Sequence, residues 1–214
     1  MNRRTMLKSL REKLMIFSVK QTLISEEFRE IQTNIHFSEE GADSRIILVT
    51  SPSEGEGKTT IASNLAISMA LQGENVLLID ANFSESSVHS LFKIRNTIGL
   101  TDVLMGDTTL WQAIYPNWIE TLGILTSGGA VPKAGLLGTG IMEKILGEAT
   151  EKYDKIIIDS AAILEATDTK LLAHMCDGVL LVIEKDRTSI EDAAYARKML
   201  EMAKATIIGG VLNK

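Results

Sequence analysis

Residues 45–60 read Arg45-Ile46-Ile47-Leu48-Val49-Thr50-Ser51-Pro52-Ser53-Glu54-Gly55-Glu56-Gly57-Lys58-Thr59-Thr60, and the apolar helical pattern Ile61-Ala62-Ser63-Asn64-Leu65-Ala66-Ile67-Ser68-Met69-Ala70-Leu71 follows. A β-branched run, a glycine-rich loop and a helix in that order form the setting in which a loop can hold a phosphate chain. Backbone N–H groups must converge on the phosphates, so the loop turns tightly where Gly55 and Gly57 carry no Cβ. Lys58 can then reach the β- and γ-phosphates, and Thr59 can offer its hydroxyl to Mg²⁺. The positive end of the helix that opens at Gly57 faces the anion. The usual spacing places a further glycine five residues before Gly57, where this chain has Pro52, so the match is to the Gly-Lys-Thr end of the motif. The same tripeptide in an exposed turn would leave only a solvated lysine. The amphipathic helix expected after the loop and the buried strand before it favour nucleoside triphosphate binding instead.

Composition narrows the setting. A chain of 214 residues with 45% hydrophobic content can bury one substantial core, and strand and helix patterns run through it without a linker. A net charge of −6 argues against a nucleic-acid partner, which calls for a basic face. The single cysteine, Cys176, excludes an internal disulfide, suits a reducing cytoplasm and sits among apolar neighbours as a small buried residue. No run reaches eighteen apolar residues, and Leu14-Met15-Ile16-Phe17 is too short for a signal peptide. Residues 1–24 are basic (Arg3, Arg4, Lys8, Arg11, Lys13 and Lys20 against Glu12), with Leu7, Leu10, Leu14 and Phe17 at helical spacing. They read either as a cationic amphipathic helix on an anionic membrane or as a plain tail or docking helix. Residues 25–214 then form the phosphate-loop domain.

Further along, Phe28, Ile31 and Ile35 mark one stripe of a helix that Ser25 could cap, with Glu26 and Arg29 one turn apart as a surface ion pair. Val76-Leu77-Leu78-Ile79-Asp80 and Lys155-Ile156-Ile157-Ile158-Asp159 are two buried strands that each end in a carboxylate. Ligands of open parallel sheets bind outside the carboxyl ends of strands, so Asp80 and Asp159 read as a Mg²⁺ and catalytic pair. A short helix is expected over 99–106, a strand over 122–126 and helices over 140–153, 167–175 and 189–204. Trp111, Ile114 and Trp118 read as helix-packing residues, and strands are expected at 178–183 and 207–212. The alternation predicts an α/β fold of the P-loop NTPase type, with a mostly parallel sheet and helices on both faces.

Taken together, the phosphate loop, Val76 to Ala81, Gly99-Leu100-Thr101-Asp102-Val103-Leu104, Tyr153 to Asp159 and Gly210-Val211-Leu212-Asn213 resemble the bacterial tyrosine kinases of capsule and exopolysaccharide export. The resemblance runs from about residue 25 to the end. It implies that Gly55, Glu56, Gly57, Lys58, Thr59 and Thr60 hold the phosphates of ATP and that Thr59, Asp80 and Asp159 serve Mg²⁺. It further implies that Lys58, Asp80 and Asp159 are catalytic, with Asp80 activating a tyrosine hydroxyl, and that Asn213 meets the adenine. The implied partners are protein tyrosine substrates, a membrane adaptor of polysaccharide export and other copies of the chain, at the inner face of the plasma membrane. The helix near Ser25 resembles an oligomerisation segment in which a glutamate and two arginines recur every three residues.

Several positions depart from that pattern. Gln32 replaces the second arginine, and Asn82 replaces an aspartate two residues after Asp80. Ser160-Ala161-Ala162 replaces a proline pair, and Phe83-Ser84-Glu85-Ser86 lacks the usual arginine. Relatives carry a C-terminal tyrosine cluster, whereas this sequence ends at Leu212-Asn213-Lys214 and its tyrosines are Tyr115, Tyr153 and Tyr195. Truncation, phosphorylation of another protein and loss of autokinase activity are the readings this leaves. Besides an adaptor-activated tyrosine kinase, two alternatives therefore stand: a weakened ATP-binding relative that acts as a regulatory interaction protein, and a partition-type ATPase. The latter class carries an extra lysine five residues before Lys58, where this chain has Ser53.

Overall fold

The computed structural model describes residues 21–37, 44–130 and 135–214. Most of the basic segment read over 1–24 lies outside these residues. The first described element is helix α1 (Gln21–Phe37), so Ser25 falls inside the helix and not at the start expected for it.

Strand β1 (Ile46–Thr50) runs into the phosphate loop and helix α2 (Lys58–Leu71), and the chain returns in strand β2 (Val76–Asp80). Short helices α3 (Val88–Phe92), α4 (Leu100–Met105) and α5 (Leu110–Ala113) precede strands β3 (Tyr115–Pro116) and β4 (Leu122–Leu125). A 3₁₀ turn (Leu136–Thr139) leads into α6 (Ile141–Ala149) and β5 (Lys155–Asp159). The chain closes with α7 (Thr167–Met175), β6 (Gly178–Glu184), α8 (Ile190–Met202) and β7 (Ile207–Asn213).

Among the described residues the strands form one sheet in the order β3-β4-β2-β5-β1-β6-β7. Every pairing is parallel except β3 with β4. The strand that feeds the phosphate loop is central, between β5 and β6. The chain leaves β1 for β2 on one side and later continues on the other side through β6 and β7, so the carboxyl ends of β1 and β5 sit at a topological switch point. Successive residues of β1, β2, β5 and β6 alternate between two cores. Ile47, Val49, Val76, Leu78, Ile157, Leu180 and Val182 face α1, α2 and α3. Leu48, Leu77, Ile79, Ile156, Ile158, Val179 and Leu181 face the helices from α4 to α8. Burial on both faces explains why these strands read as continuous apolar runs.

Helix α2 differs from the amphipathic helix expected after the loop: every residue from Ile61 to Ala70 is buried. Helix α1 lies over its outer side through Phe28, Ile31 and Ile35. Gln32 Oε1 accepts hydrogen bonds from Ser68 Oγ of α2 and from Nε2 of Gln72, the residue that caps the helix. Glu26 and Arg29 are exposed and do not form the expected pair; the ion pairs among the described residues are Glu184–Arg187 and Arg197–Glu201. Helix α8 starts where the sequence indicates, with Ser189 Oγ accepting the Asp192 N–H at 3.0 Å, and ends earlier because Lys204 takes a left-handed φ of 58°. Trp111 stacks on Tyr153 as a packing residue should, whereas Trp118 lies in a bend outside the helices and is 48% exposed. Cys176 is partly buried among apolar side chains, and burial pushes its thiol well above the ordinary range, which leaves it unreactive.

Candidate active site

The loop between β1 and α2 turns through two left-handed glycines, Gly55 at φ 76° and Gly57 at φ 90°. A side chain at either would be strained, and a Cβ on Gly55 would fall 2.8 Å from Arg187 Nη1. Helix α2 opens at Lys58 with Gly57 in the cap position, so the first free N–H groups of the helix point into the loop. Lys58 is buried and its Nζ lies 3.4 Å from the Ser53 carbonyl, curled across the loop mouth. Pro52, in the place of the missing glycine, is buried, and Ser51 Oγ closes a tight turn on the Ser53 carbonyl at 2.6 Å.

Parallel pairing of β2 with β5 sets Asp80 directly opposite Asp159. Both side chains are fully buried. Thr59 Oγ1 donates to Asp159 Oδ2 at 2.6 Å and accepts from Ser87 Oγ at 3.0 Å. Asp80 is held by the backbone that follows it, Oδ1 accepting the Asn82 N–H at 3.1 Å and Oδ2 the Val88 N–H at 3.2 Å. Burial pushes Asp80 up to about 7 against those stabilising N–H groups. Burial and the neighbouring Asp80 carboxylate push Asp159 up to about 8, opposed by the Thr59 hydroxyl and the Lys58 ammonium. Asp159 Oδ1 is buried with no hydrogen-bond partner. Two crowded carboxylates, one with an orphaned oxygen beside a threonine hydroxyl, form a hard oxygen donor set that fits Mg²⁺.

The other expected residues are distributed around this centre. Thr60 is in the first turn of α2, and its carbonyl accepts from Asn64 Nδ2 at 2.8 Å. The Glu56 side chain turns away from the loop mouth: it is 1% exposed, and Oε1 accepts from Thr188 Oγ1 at 2.7 Å, so only its backbone N–H is available to a phosphate. Asn213 ends β7 and donates from Nδ2 to the Glu56 carbonyl at 3.0 Å, against Gly57. Asn82, in place of an aspartate, spends its side-chain oxygen on the Glu85 N–H at 3.2 Å and shapes the turn after β2. The Ser160-Ala161-Ala162 stretch is anchored as its neighbours require: Ser160 Oγ donates to the Val49 carbonyl at 3.0 Å, and Thr50 and Thr169 hydroxyls both reach the Ala161 carbonyl.

Three residues at the site carried no signal in the sequence. Ser87 touches Thr59 across 28 positions, and Arg187 and Thr188 reach Gly55 and Glu56 across 132. Local patterning cannot show such contacts, although a glycine loop with exposed carbonyls calls for donors from somewhere.

Comparison with known proteins places this geometry. A family model described as an AAA domain matches residues 44–207. The tyrosine-protein kinase YwqD of Bacillus subtilis (strain 168) is 39% identical over 194 residues, which covers 90% of this chain and 82% of that protein. The putative tyrosine-protein kinase CapB of Staphylococcus aureus is 30% identical over 208 residues, covering 97% of this chain and 91% of that protein. Among solved structures, the chimerical protein CapA2B2 superposes with a TM-score of 0.88 at 29% identity, over 94% of this chain and 89% of that one. The septum site-determining protein MinD of Pyrococcus horikoshii OT3, solved with Mg-ADP, gives 0.67 at 27% identity, over 78% of this chain and 69% of that one. The fold is therefore that of P-loop nucleotide-binding proteins, and the chain belongs to the bacterial tyrosine-protein kinase family.

Proposed function

We propose that this chain transfers the γ-phosphoryl group of ATP to tyrosine hydroxyls of protein substrates. The observation that carries the reading is the Asp80–Asp159 pair on adjacent strands, joined to the phosphate loop by the 2.6 Å contact between Thr59 and Asp159. In this reading the N–H groups from Gly55 to Thr60 bind the phosphate oxygens, and Lys58 exchanges the Ser53 carbonyl for the β- and γ-phosphates. Thr59 and Asp159 hold Mg²⁺, with Asp80 beside it. When bound, that ion neutralises charge on the phosphate chain.

Asp80 is the base that orients the incoming phenol and takes its proton. Burial pushes this carboxyl up to about 7 without metal, and beside a bound Mg²⁺ it would return toward the ionised form that can accept a proton. Because Asp80 is fully buried and tied to the N–H groups of Asn82 and Val88, a tyrosine reaches it only when the segment that follows β2 moves aside. Membership of the kinase family, together with the resemblance to capsule and exopolysaccharide kinases, supports a role in polysaccharide export in the cytoplasm. There a membrane adaptor would recruit and activate the chain at the inner face of the plasma membrane. Among the described residues no helix is long and apolar enough to cross a membrane, in keeping with such an adaptor. Glu26 and Arg29, exposed on α1, are placed to meet a second copy, whereas Gln32 is turned inward onto α2.

One observation favours a second reading, an ATP-gated interaction protein with weakened transfer: the Asn82 oxygen is committed to the Glu85 N–H and brings no charge to the metal site. Transfer of labelled γ-phosphate to a tyrosine-containing substrate, with and without an adaptor tail, separates the two. Phosphotyrosine that disappears in Lys58→Met establishes the kinase. ATP binding without transfer under any condition establishes the second reading.

A further inference from the structure

The convex side of the phosphate loop is held by side chains from the far edge of the sheet. Arg187 Nη2 donates to the Glu54 carbonyl at 3.1 Å and Nη1 to the Gly55 carbonyl at 3.2 Å, while Asn213 Nδ2 takes the Glu56 carbonyl at 3.0 Å. Three consecutive carbonyls therefore point one way. In a planar trans peptide the carbonyl and the following N–H point in opposite directions. Fixing these carbonyls outward thus turns the N–H groups of Gly55, Glu56 and Gly57 inward, toward the concave side where phosphate oxygens would sit.

We propose that Arg187 is a positioning residue of the phosphate loop, the head of a clamp that the β6–α8 connection closes on the loop from behind. The inference rests on the nucleotide site described above. The clamp has its own support. Arg187 Nη1 is held by Glu184 Oε2 at 2.9 Å. The Glu184 N–H donates to Thr188 Oγ1 at 3.0 Å, and Thr188 Oγ1 in turn donates to the buried Glu56 at 2.7 Å. Gly55 has no Cβ where one would press on the guanidinium. An exposed i,i+3 ion pair by itself contributes little, and the Arg187 side chain is 56% exposed. What distinguishes it is the fork geometry: two N–H donors on two adjacent carbonyls, which a lysine ammonium cannot reproduce.

The test is titration of ATP and ADP into the full chain with Mg²⁺, for the parent and for Arg187→Ala, Arg187→Lys, Glu184→Gln and the double variant Arg187→Ala with Glu184→Gln. Arg187→Ala should weaken ATP and ADP by the same factor, about 5–30-fold. In phosphoryl transfer most of that change should fall on KM and little on kcat. Arg187→Lys should recover part of the loss, Glu184→Gln should give a smaller loss in the same direction, and the double variant should be no worse than Arg187→Ala. Unchanged affinity in Arg187→Ala overturns the clamp, including the case where only the melting temperature falls. A loss confined to ATP also overturns it, because that marks direct contact with the γ-phosphate, and so do additive effects of the two substitutions. A parent chain that binds neither nucleotide overturns the nucleotide site itself. Parent binding with an unchanged Arg187→Ala removes the clamp alone.

Discussion

The two ends of the central strands treat charge in opposite ways. At the amino ends, carboxylates join segments of the chain. Asp177 Oδ2 accepts the N–H groups of Arg45 and Ile46 at 2.9 and 2.8 Å, and Asp154 Oδ2 accepts both the N–H and the side-chain amide of Asn75. Arg45 in turn donates to the Thr150 and Tyr153 carbonyls, and Lys155 Nζ to the Ser44 carbonyl. At the carboxyl ends, Asp80 and Asp159 face each other in full burial, one oxygen of Asp159 has no partner, and both hold their protons into the neutral range. One end is satisfied and serves stability. The other is left short of positive charge, which is how a fold keeps a place for a cation and a phosphate chain.

Substitutions on the two ends should therefore separate activity from stability. The largest expected effect is at the carboxyl end: Lys58→Met should abolish transfer and sharply weaken ATP binding, read by γ-phosphate transfer and nucleotide titration on one sample. Asp80→Asn should keep ATP binding within a few-fold while lowering transfer by about 10²–10⁴, the usual worth of a positioned base. Loss of binding in Asp80→Asn would overturn its assignment as the base, since it would make Asp80 a group that holds the metal and nucleotide.

The pH dependence of stability tests the same contrast. In the folded chain both carboxyls hold protons more tightly than in the unfolded chain, where an aspartate titrates near 3.9. Unfolding therefore releases protons, and with chelator present the stability contributed by this pair is full below about pH 4. It declines as pH rises and is lost as pH passes through about 7 to 8. Asp159→Asn should flatten that decline and raise the melting temperature at pH 8, by about 2–4 °C for each kcal/mol relieved. A melting temperature that instead rises with pH between 6 and 8 in the parent would remove the crowded-pair account.

The smallest effect is expected at the amino end. Asp177→Ala removes an acceptor shared by two N–H groups on an exposed residue and should cost about 1–2 kcal/mol. Transfer by the folded protein at a permissive temperature should be unchanged. Denaturant unfolding and a transfer assay below the melting point check the two parts.

Much of this arrangement was legible in the residue order. The β1 run, the Gly-Lys-Thr loop and the two apolar strands ending in aspartate specify their own conformations locally, and helix 167–175 coincides with α7. Misreadings occurred where a second element intervenes. Helix α2 is buried all round with α1 over its outer side, and its sequence, apolar or small on every face from Ile61 to Ala70, fits that burial better than the amphipathic reading. Gln32, read as a lapse from an oligomerisation pattern, is a packing contact to Ser68 and Gln72. Asn82, read as a replacement for an aspartate, has its side-chain oxygen spent on a turn.

The sequence by itself determined the chemistry this protein can attempt: glycines that let backbone N–H groups converge, a lysine and threonine after them, and carboxylates at the ends of buried strands. These follow from covalent properties of neighbouring residues, which act over a few positions and are written in the order. Only the tertiary structure decided how those groups work. Parallel pairing of β2 with β5 buries Asp80 beside Asp159, so that burial raises both and Asp80 raises Asp159 further, and the β6–α8 connection sets Arg187 and Thr188 behind the loop from 132 positions away. Electrostatic shifts and hydrogen bonds depend on distance in space and on excluded water, and both come into being only when the strands assemble.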